Sequence, residues 1–361
     1  MGRIGEVPKV ANVFLGRELL TFLAAPHRFR DLCRPESMRV TPRLALLGFL
    51  CLDACGGDSV APPPPPNSWV HRASVPGGGV SGASSFVIDG RIYIANGFRN
   101  GWTKAVYRYD PSQDSWQQLS STPTSVRANA IGFAIGGYGY MGLGSSCVGG
   151  STCTYTFYKD LWRLDPATTL WTQMADFPGT ARANAVSFVI GDKAYVTGGS
   201  TFADIDTWQY NPATNAWTQK ANFPGACNAR AAGFSIGTKG YVGLGLGLNG
   251  GCKTFWAYDT TANSWTPVDS LPGAARYDAV AFSIGDTAFV VGGGVGGLVT
   301  EVWTYSATGN AWAKRQTTYP GQALVEMMAG VAAGRIFVGL GTNNPTGGQT
   351  DRFDELWEYI R

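Results

Sequence analysis

Two carboxylates, Asp278 and Glu326, and a set of arginines and asparagines are the residues of this chain best suited to chemistry. Arg127, Arg182, Arg230 and Arg276, with Asn129, Asn184 and Asn228, all fall just upstream of similar apolar stretches such as GFAIGGYGYMGLG (132–144) and GFSIGTKGYVGLG (233–245). Guanidinium and amide groups at one level suit a carboxylate or polyhydroxylated ligand, because each offers paired donors. Asp278 or Glu326 beside Arg276 would add a general base and a cation, the parts that general acid–base chemistry needs. Against catalysis, both acids also read as solvated or Arg-paired loop residues. The chain holds 2 histidines, and only His71 follows residue 55. That excludes histidine-cluster metal sites and argues against a Ser-His-Asp triad. Residues 1–54 carry 8 Lys+Arg and 5 Asp+Glu of totals of 28 and 25, leaving 20 of each sign in the rest. A neutral body lacks the basic face that nucleic acid requires.

What positions these residues is a repeat. Trp69, Trp116, Trp171, Trp217, Trp265 and Trp312 are spaced by 47, 55, 46, 48 and 47 residues. A period of 40–50 with four strand signals per unit points to a propeller rather than a helical solenoid. In the unit 182–217, ANAVSFVIG and AYVTGG form two strands, DTWQY a third and NAWTQK a fourth, with Asn211-Pro212 at a reversal. The fragment DELWEYIR (354–361) repeats KDLWRLD and then stops without its Trp strand, while NSWVHR (67–72) supplies a spare one. The expectation is an all-β fold: six blades, the last closed by the N-terminal strand, which removes two open sheet edges.

Gly198-Gly199, Tyr210 and Trp217, and again Gly292-Gly293, Tyr305 and Trp312, resemble the kelch repeat: double glycine after strand two, aromatic in strand three, Trp in strand four. The resemblance spans about residues 67–361 and implies that strand one lines a central channel. Aligned on Phe86, Phe133, Phe188, Phe234, Phe282 and Val331, one level of the mouth then holds Val80, Arg127, Arg182, Asn228, Arg276 and Val325. The next level holds Gly82, Asn129, Asn184, Arg230, Asp278 and Met327. The alternative for the arginines is that they cap neighbouring carbonyls. The chain is also similar to the propeller of galactose oxidase, whose copper needs two histidines with tyrosines. With one remote histidine that activity is not carried over, and no cofactor or metal is implied. The enzyme class that fits better is the six-bladed kelch sugar mutarotase of bacterial periplasms.

In this arrangement Cys147 and Cys153 lie within one loop, CVGGSTC, and Cys227 and Cys252 fall side by side at the mouth. Two such pairs read as disulfides, and they lack the C-x-x-C spacing of a zinc site.

Arg39 and Arg43, the apolar run 44–52 and LDAC form an export signal resembling a lipoprotein lipobox, with Cys55 as the acylated first mature residue. Asp53 departs from that pattern. Residues 1–37 form no coherent element and suggest an upstream mis-called start; 38–55 is the signal; 56–67, with its APPPPPN tract, is a spacer; 68–361 is the propeller. The reading is a monomeric protein of the bacterial cell envelope that meets the membrane only through its lipid anchor. It binds a glycan, peptide or protein at the channel mouth. Sugar mutarotase or epimerase activity and a structural scaffold are the alternatives.

Overall fold

In five of the six repeats the first two strands meet through a stacked ring pair across the ladder. These are Phe86–Tyr93, Phe133–Tyr140, Phe188–Tyr195, Phe234–Tyr241 and Phe282–Phe289, with centroids 5.0–5.6 Å apart. Such cross-strand pairs fix register, because a one-residue slip would turn every ring to the wrong face. The computed structural model describes residues 62–148, 154–344 and 352–361. They form six four-stranded antiparallel sheets within a unit spanning Pro64–Arg361.

Blade III is representative: Val186–Ile190 innermost, then Lys193–Thr197, Thr207–Asn211 and Ala216–Lys220. Its innermost strand begins with alternating buried and half-buried positions, and its second strand is buried throughout Ala194–Thr197, as a strand packed on both faces by neighbouring blades should be. The innermost strands of successive blades pack side by side around the axis, and their apolar faces build the inter-blade clusters.

Blade VI joins Met328–Ala332, Arg335–Gly339 and Leu356–Ile360 to the N-terminal strand Ser68–Arg72, with Trp69 opposite Tyr359. The closure expected from the spare Trp strand is therefore the closure observed. One register differs. Gly330, not Val331, faces Phe337 at the position that holds the aromatic elsewhere. Val87 and Ile92 of blade I fill the space a ring would take.

A second repeated device locks blades together at their outer edges. The turn residues Asp114, Asn215, Asn263 and Asn310 have φ between 44° and 49°, and each accepts from the Tyr five residues earlier. Each also accepts a backbone N–H of the preceding blade's exit, from Ala73, Ala175, Ala221 and Asp269. The Trp two residues on donates to the carbonyl of that same residue. Blade II, with Leu164 and Thr169 at these positions, has lost the clamp.

The residues proposed as leader and the lipidation candidate Cys55 lie outside the described residues. No helix among the described residues is long and apolar enough to cross a membrane.

Candidate functional site

Each chain segment entering an innermost strand contributes one residue in the left-handed backbone region. These are Gly82, Asn129, Asn184, Arg230, Asp278 and Glu326, with φ of 61°, 54°, 54°, 53°, 52° and 55°. The left-handed turn aims them at a common centre and joins them in a belt of backbone hydrogen bonds. Asn129 N–H donates to Gly82 O (2.7 Å), Asn184 to Asn129 (2.9 Å), Gly82 to Glu326 (3.3 Å) and Asp278 to Arg230 (3.1 Å). These bonds span four of the six junctions; between blades III and IV, Arg230 N–H donates to Gly199 O instead. Arg and Glu are held here at a strain of about 1–2 kcal/mol each, a cost that such positions repay at functional sites.

The belt rings a cavity of about 210 Å3 at the channel mouth, floored by Ser187, Gly233 and Ala281 of the innermost strands. Asn129, Asn184, Arg230, Asp278 and Glu326 all line it. Arg230 Nη1 donates to Asp278 Oδ2 at 2.6 Å, and Asn129 Nδ2 donates to Glu326 Oε1 at 3.4 Å. The Asp278 side chain is 8% exposed. Burial, helped by the Glu326 charge and opposed by Arg230, pushes its carboxyl up to about 6. Two carboxyls in unlike settings, one cation and two amides thus face one small space, a pairing that separates acid from base roles.

The other sequence-level candidates do not reach the cavity. Arg127, Arg182 and Arg276 are 1%, 2% and 0% exposed, which corrects the expectation that four arginines converge on the opening. Each turns back into its own blade. Nε donates to the carbonyl two residues earlier (Ser125, Thr180, Ala274), and Nη1 to the carbonyl 16 residues on (Leu143, Gly198, Gly292). Each also pairs with a carboxylate: Asp160, Asp206 or Glu301 at 2.5–2.7 Å. Those acids accept in turn from Trp162, Trp208 and Trp303. The carbonyl-capping alternative is the observed one, because these side chains leave from extended connector backbone two residues before the belt. Asn228 is likewise buried and donates to Thr201 O and Asp204 O. The pairing of Arg276 with Asp278 fails for the same reason; Arg230 is the guanidinium beside that acid.

Correcting the blade VI register also changes the levels. Leu324, not Val325, is the counterpart of the buried arginines, and Glu326, not Met327, is the sixth belt residue. A signal for the arginines was present in the sequence. At Val80 and Asn228, where the first level lacks Arg, the position two before Tyr107 or Trp256 is Ala105 or Thr254 instead of an acid, although blade VI, with Leu324, keeps Glu355 two before Trp357.

Above the cavity stand the loops between strands two and three. Of seven large apolar side chains exposed among the described residues, six lie there: Tyr155, Phe157, Phe202, Ile205, Leu248 and Val295. The stretches 145–158, 244–252 and 292–300 contain no charged residue. Cys227 and Cys252 are joined as a disulfide that ties the blade IV loop to its connector. Cys147 is also disulfide-bonded, and Cys153, its expected partner, lies outside the described residues. A disulfide of this kind hints at an oxidising, exported setting.

The Kelch motif family model matches residues 79–123 and 181–224. Curated relatives include the N-acetylneuraminate epimerases of Escherichia coli (strain K12) and Shigella boydii serotype 4 (strain Sb227). Each is 27% identical over a match covering 36% of this chain and 45% of the relative, less than half its length. A solved chain titled "Structure of YjhT" superposes with a TM-score of 0.66 at 17% identity, over 79% of this chain and 95% of that one. That likeness bears on the fold alone.

Proposed function

Because the chain is a kelch-repeat β-propeller, we propose that its belt-lined mouth exchanges the anomers of a reducing sugar by acid–base catalysis without a cofactor. The observation that carries this reading is the pair Asp278 and Glu326, set with Arg230 and two asparagine amides around a cavity of about 210 Å3. That volume lies below the ~300–1,000 Å3 of drug-sized sites and fits a ligand of monosaccharide size.

In the forward step Glu326 removes the proton of the anomeric hydroxyl, and protonated Asp278 gives its proton to the ring oxygen. The bond from the anomeric carbon to the ring oxygen breaks and a carbonyl forms. Rotation and the reverse transfers close the ring on the other face. Arg230 stabilises the oxygen on which charge develops, and Asn129 and Asn184 hold hydroxyls. An acid that titrates near 6 holds its proton in the mildly acid range and can give it up during the reaction, as a proton donor must. Similarity to proteins named N-acetylneuraminate epimerase supports the class of reaction.

The test is exchange spectroscopy of a panel of reducing sugars with catalytic amounts of the propeller. Asp278→Asn should slow exchange by about 10²–10⁴-fold, the usual contribution of a positioned proton donor. No acceleration with any sugar would sink the reading.

The apolar rim, uncharged in three of its loops, favours a second reading, a binding module for a glycan, peptide or protein partner with no turnover. A glycan-array screen scores that reading independently of catalysis. Either role is consistent with an envelope protein held by an acylated Cys55. Mass spectrometry of the mature N-terminus decides that point, since an unmodified Cys55 in a longer chain excludes the anchor.

A further inference from the structure

Gly82 is the one belt member without a side chain, yet the left-handed conformation alone does not demand glycine, since Asn, Arg, Asp and Glu adopt it at the other five positions. A second constraint acts at Gly82. A Cβ built there would lie 2.6 Å from Asn129 Oδ1, 3.3 Å from Asn129 Cγ and 3.1 Å from Ala128 Cβ. The Asn129 side chain therefore lies across the blade I position. It reaches past its immediate neighbour to blade VI, where Nδ2 meets Glu326 Oε1. Two residues 197 apart in sequence touch because the blade between them presents only backbone.

We propose that Asn129 is the positioning residue of the mouth and Gly82 the window that lets it act. This rests on the acid–base reading of the site. The amide fixes the rotamer of the Glu326 carboxylate and occupies Oε1, leaving Oε2 to take the substrate proton. The division of labour between the two acids follows from their neighbours. Asp278 is buried and bonded to Arg230, whereas Glu326 is bonded by a neutral donor, with the Arg230 and Arg352 guanidinium charges within electrostatic reach. A neutral donor orients a base without lowering its basicity as a bonded cation would. The 3.4 Å separation is at the long end for such a bond, and catalytic hydrogen bonds tighten in the substrate complex.

Gly82→Ala tests this without removing any polar group. The atoms its methyl group meets belong mainly to a movable side chain, so beyond the backbone strain of alanine at φ 61° its chief effect is to displace the Asn129 amide. Two measurements are made on the whole propeller. The first is the side-chain amide resonance of Asn129 in the ligand-free protein, compared between wild type, Glu326→Gln and Gly82→Ala. It should move in both variants, and it reads the contact whether or not any sugar is turned over. The second is anomer exchange. Gly82→Ala and Asn129→Ala should each lower kcat about tenfold to a hundredfold, the scale of a misplaced reacting group. KM should change little, and the double variant should be no slower than the worse single one. An Asn129 resonance unmoved in both variants overturns the proposal even if the site is catalytic. Additive losses, or losses confined to melting temperature, overturn it as well. A resonance that moves in a protein exchanging no sugar leaves the contact standing and removes the acid–base reading beneath it.

Discussion

The Tyr359 hydroxyl donates to Asn67 Oδ1 at 2.9 Å, so a clamp that four other blades build within five residues is built here across 292. Asn67, with φ 58°, is left-handed like its counterparts, and its N–H donates to Ile360 O at 2.7 Å. The two ends of the propeller thus recreate one hairpin turn without a covalent link. The ring closes through contacts that an ordinary blade has for free.

That closure sets the first prediction. Deleting residues 56–75 removes the outer strand of blade VI and exposes the edge Leu356–Ile360. Stability should fall by several kcal/mol and the protein should self-associate. Asn67→Ala, which removes only the hydroxyl's acceptor, should cost about 1 kcal/mol. Urea unfolding and light scattering check both. A truncated protein with an unchanged midpoint contradicts the closure.

The buried arginines give the second. Arg182 holds Asp206 at 2.6 Å and two backbone carbonyls from a 2% exposed position. Arg182→Ala strands a partly buried carboxylate and should destabilise by about 3–5 kcal/mol. Affinity for any ligand of the mouth should be unchanged where the protein is still folded. Paired unfolding and binding measurements would show the opposite pattern if Arg182 touched the ligand.

How much of this was legible differs between fold and site. The Trp spacing and the split blade were readable because four of the six, Trp116, Trp217, Trp265 and Trp312, answer to a local constraint, a carbonyl on the preceding blade, that recurs at fixed spacing, and Trp69 and Trp171 keep the same place in their sheets. Blade VI slipped by one because Gly330 stands where the other blades put an aromatic, which removed the landmark. The site was half legible. Residue type and level identified Asn129, Asn184, Arg230 and Asp278. Neither reveals which way a side chain leaves the backbone, and two residues separate an inward arginine from a left-handed belt position. Arg276 and Asp278 are neighbours in sequence with opposite fates for that reason.

The disulfide supplies the third prediction. Cys227–Cys252 closes a loop with a sequence separation of 25 and anchors the hairpin that carries Leu248 above the mouth. Peptide mapping without reduction should recover this cross-link from exported protein. Replacing both cysteines by Ser should cost about 2–4 kcal/mol. Free thiols at both positions would contradict the pairing and weaken the case for an oxidising compartment.

The last prediction concerns the pH dependence of stability and follows from Asp278. Its folded carboxyl titrates near 6, above the 3.8 of an unperturbed group, because burial disfavours the charge. Between these values the native state binds more protons than the unfolded one, so the unfolding free energy falls as pH rises. A displacement of about 2 units corresponds to about 3 kcal/mol, present below pH 4 and lost by pH 6 and above. Glu301 runs the other way. Although burial opposes ionisation, bonds from Lys314, Arg276 and Trp303 hold it down to about 2, so its contribution is lost as pH falls below about 4.5. Stability from these two groups therefore peaks in the acid range, between the Glu301 limb and the Asp278 limb. Asp278→Asn should flatten the decline between pH 4 and 6 and leave the acid limb untouched; Glu301→Gln should make the acid limb shallower, the remainder belonging to Asp110, Asp114 and Glu358, which their bonds also hold below the ordinary carboxylate range. Urea unfolding at half-unit steps from pH 3 to 8 on the three proteins separates the terms. A wild-type curve that rises through pH 4–6, with Asp278→Asn parallel to it, would mean that the mouth carboxyl is ionised throughout and cannot serve as the acid.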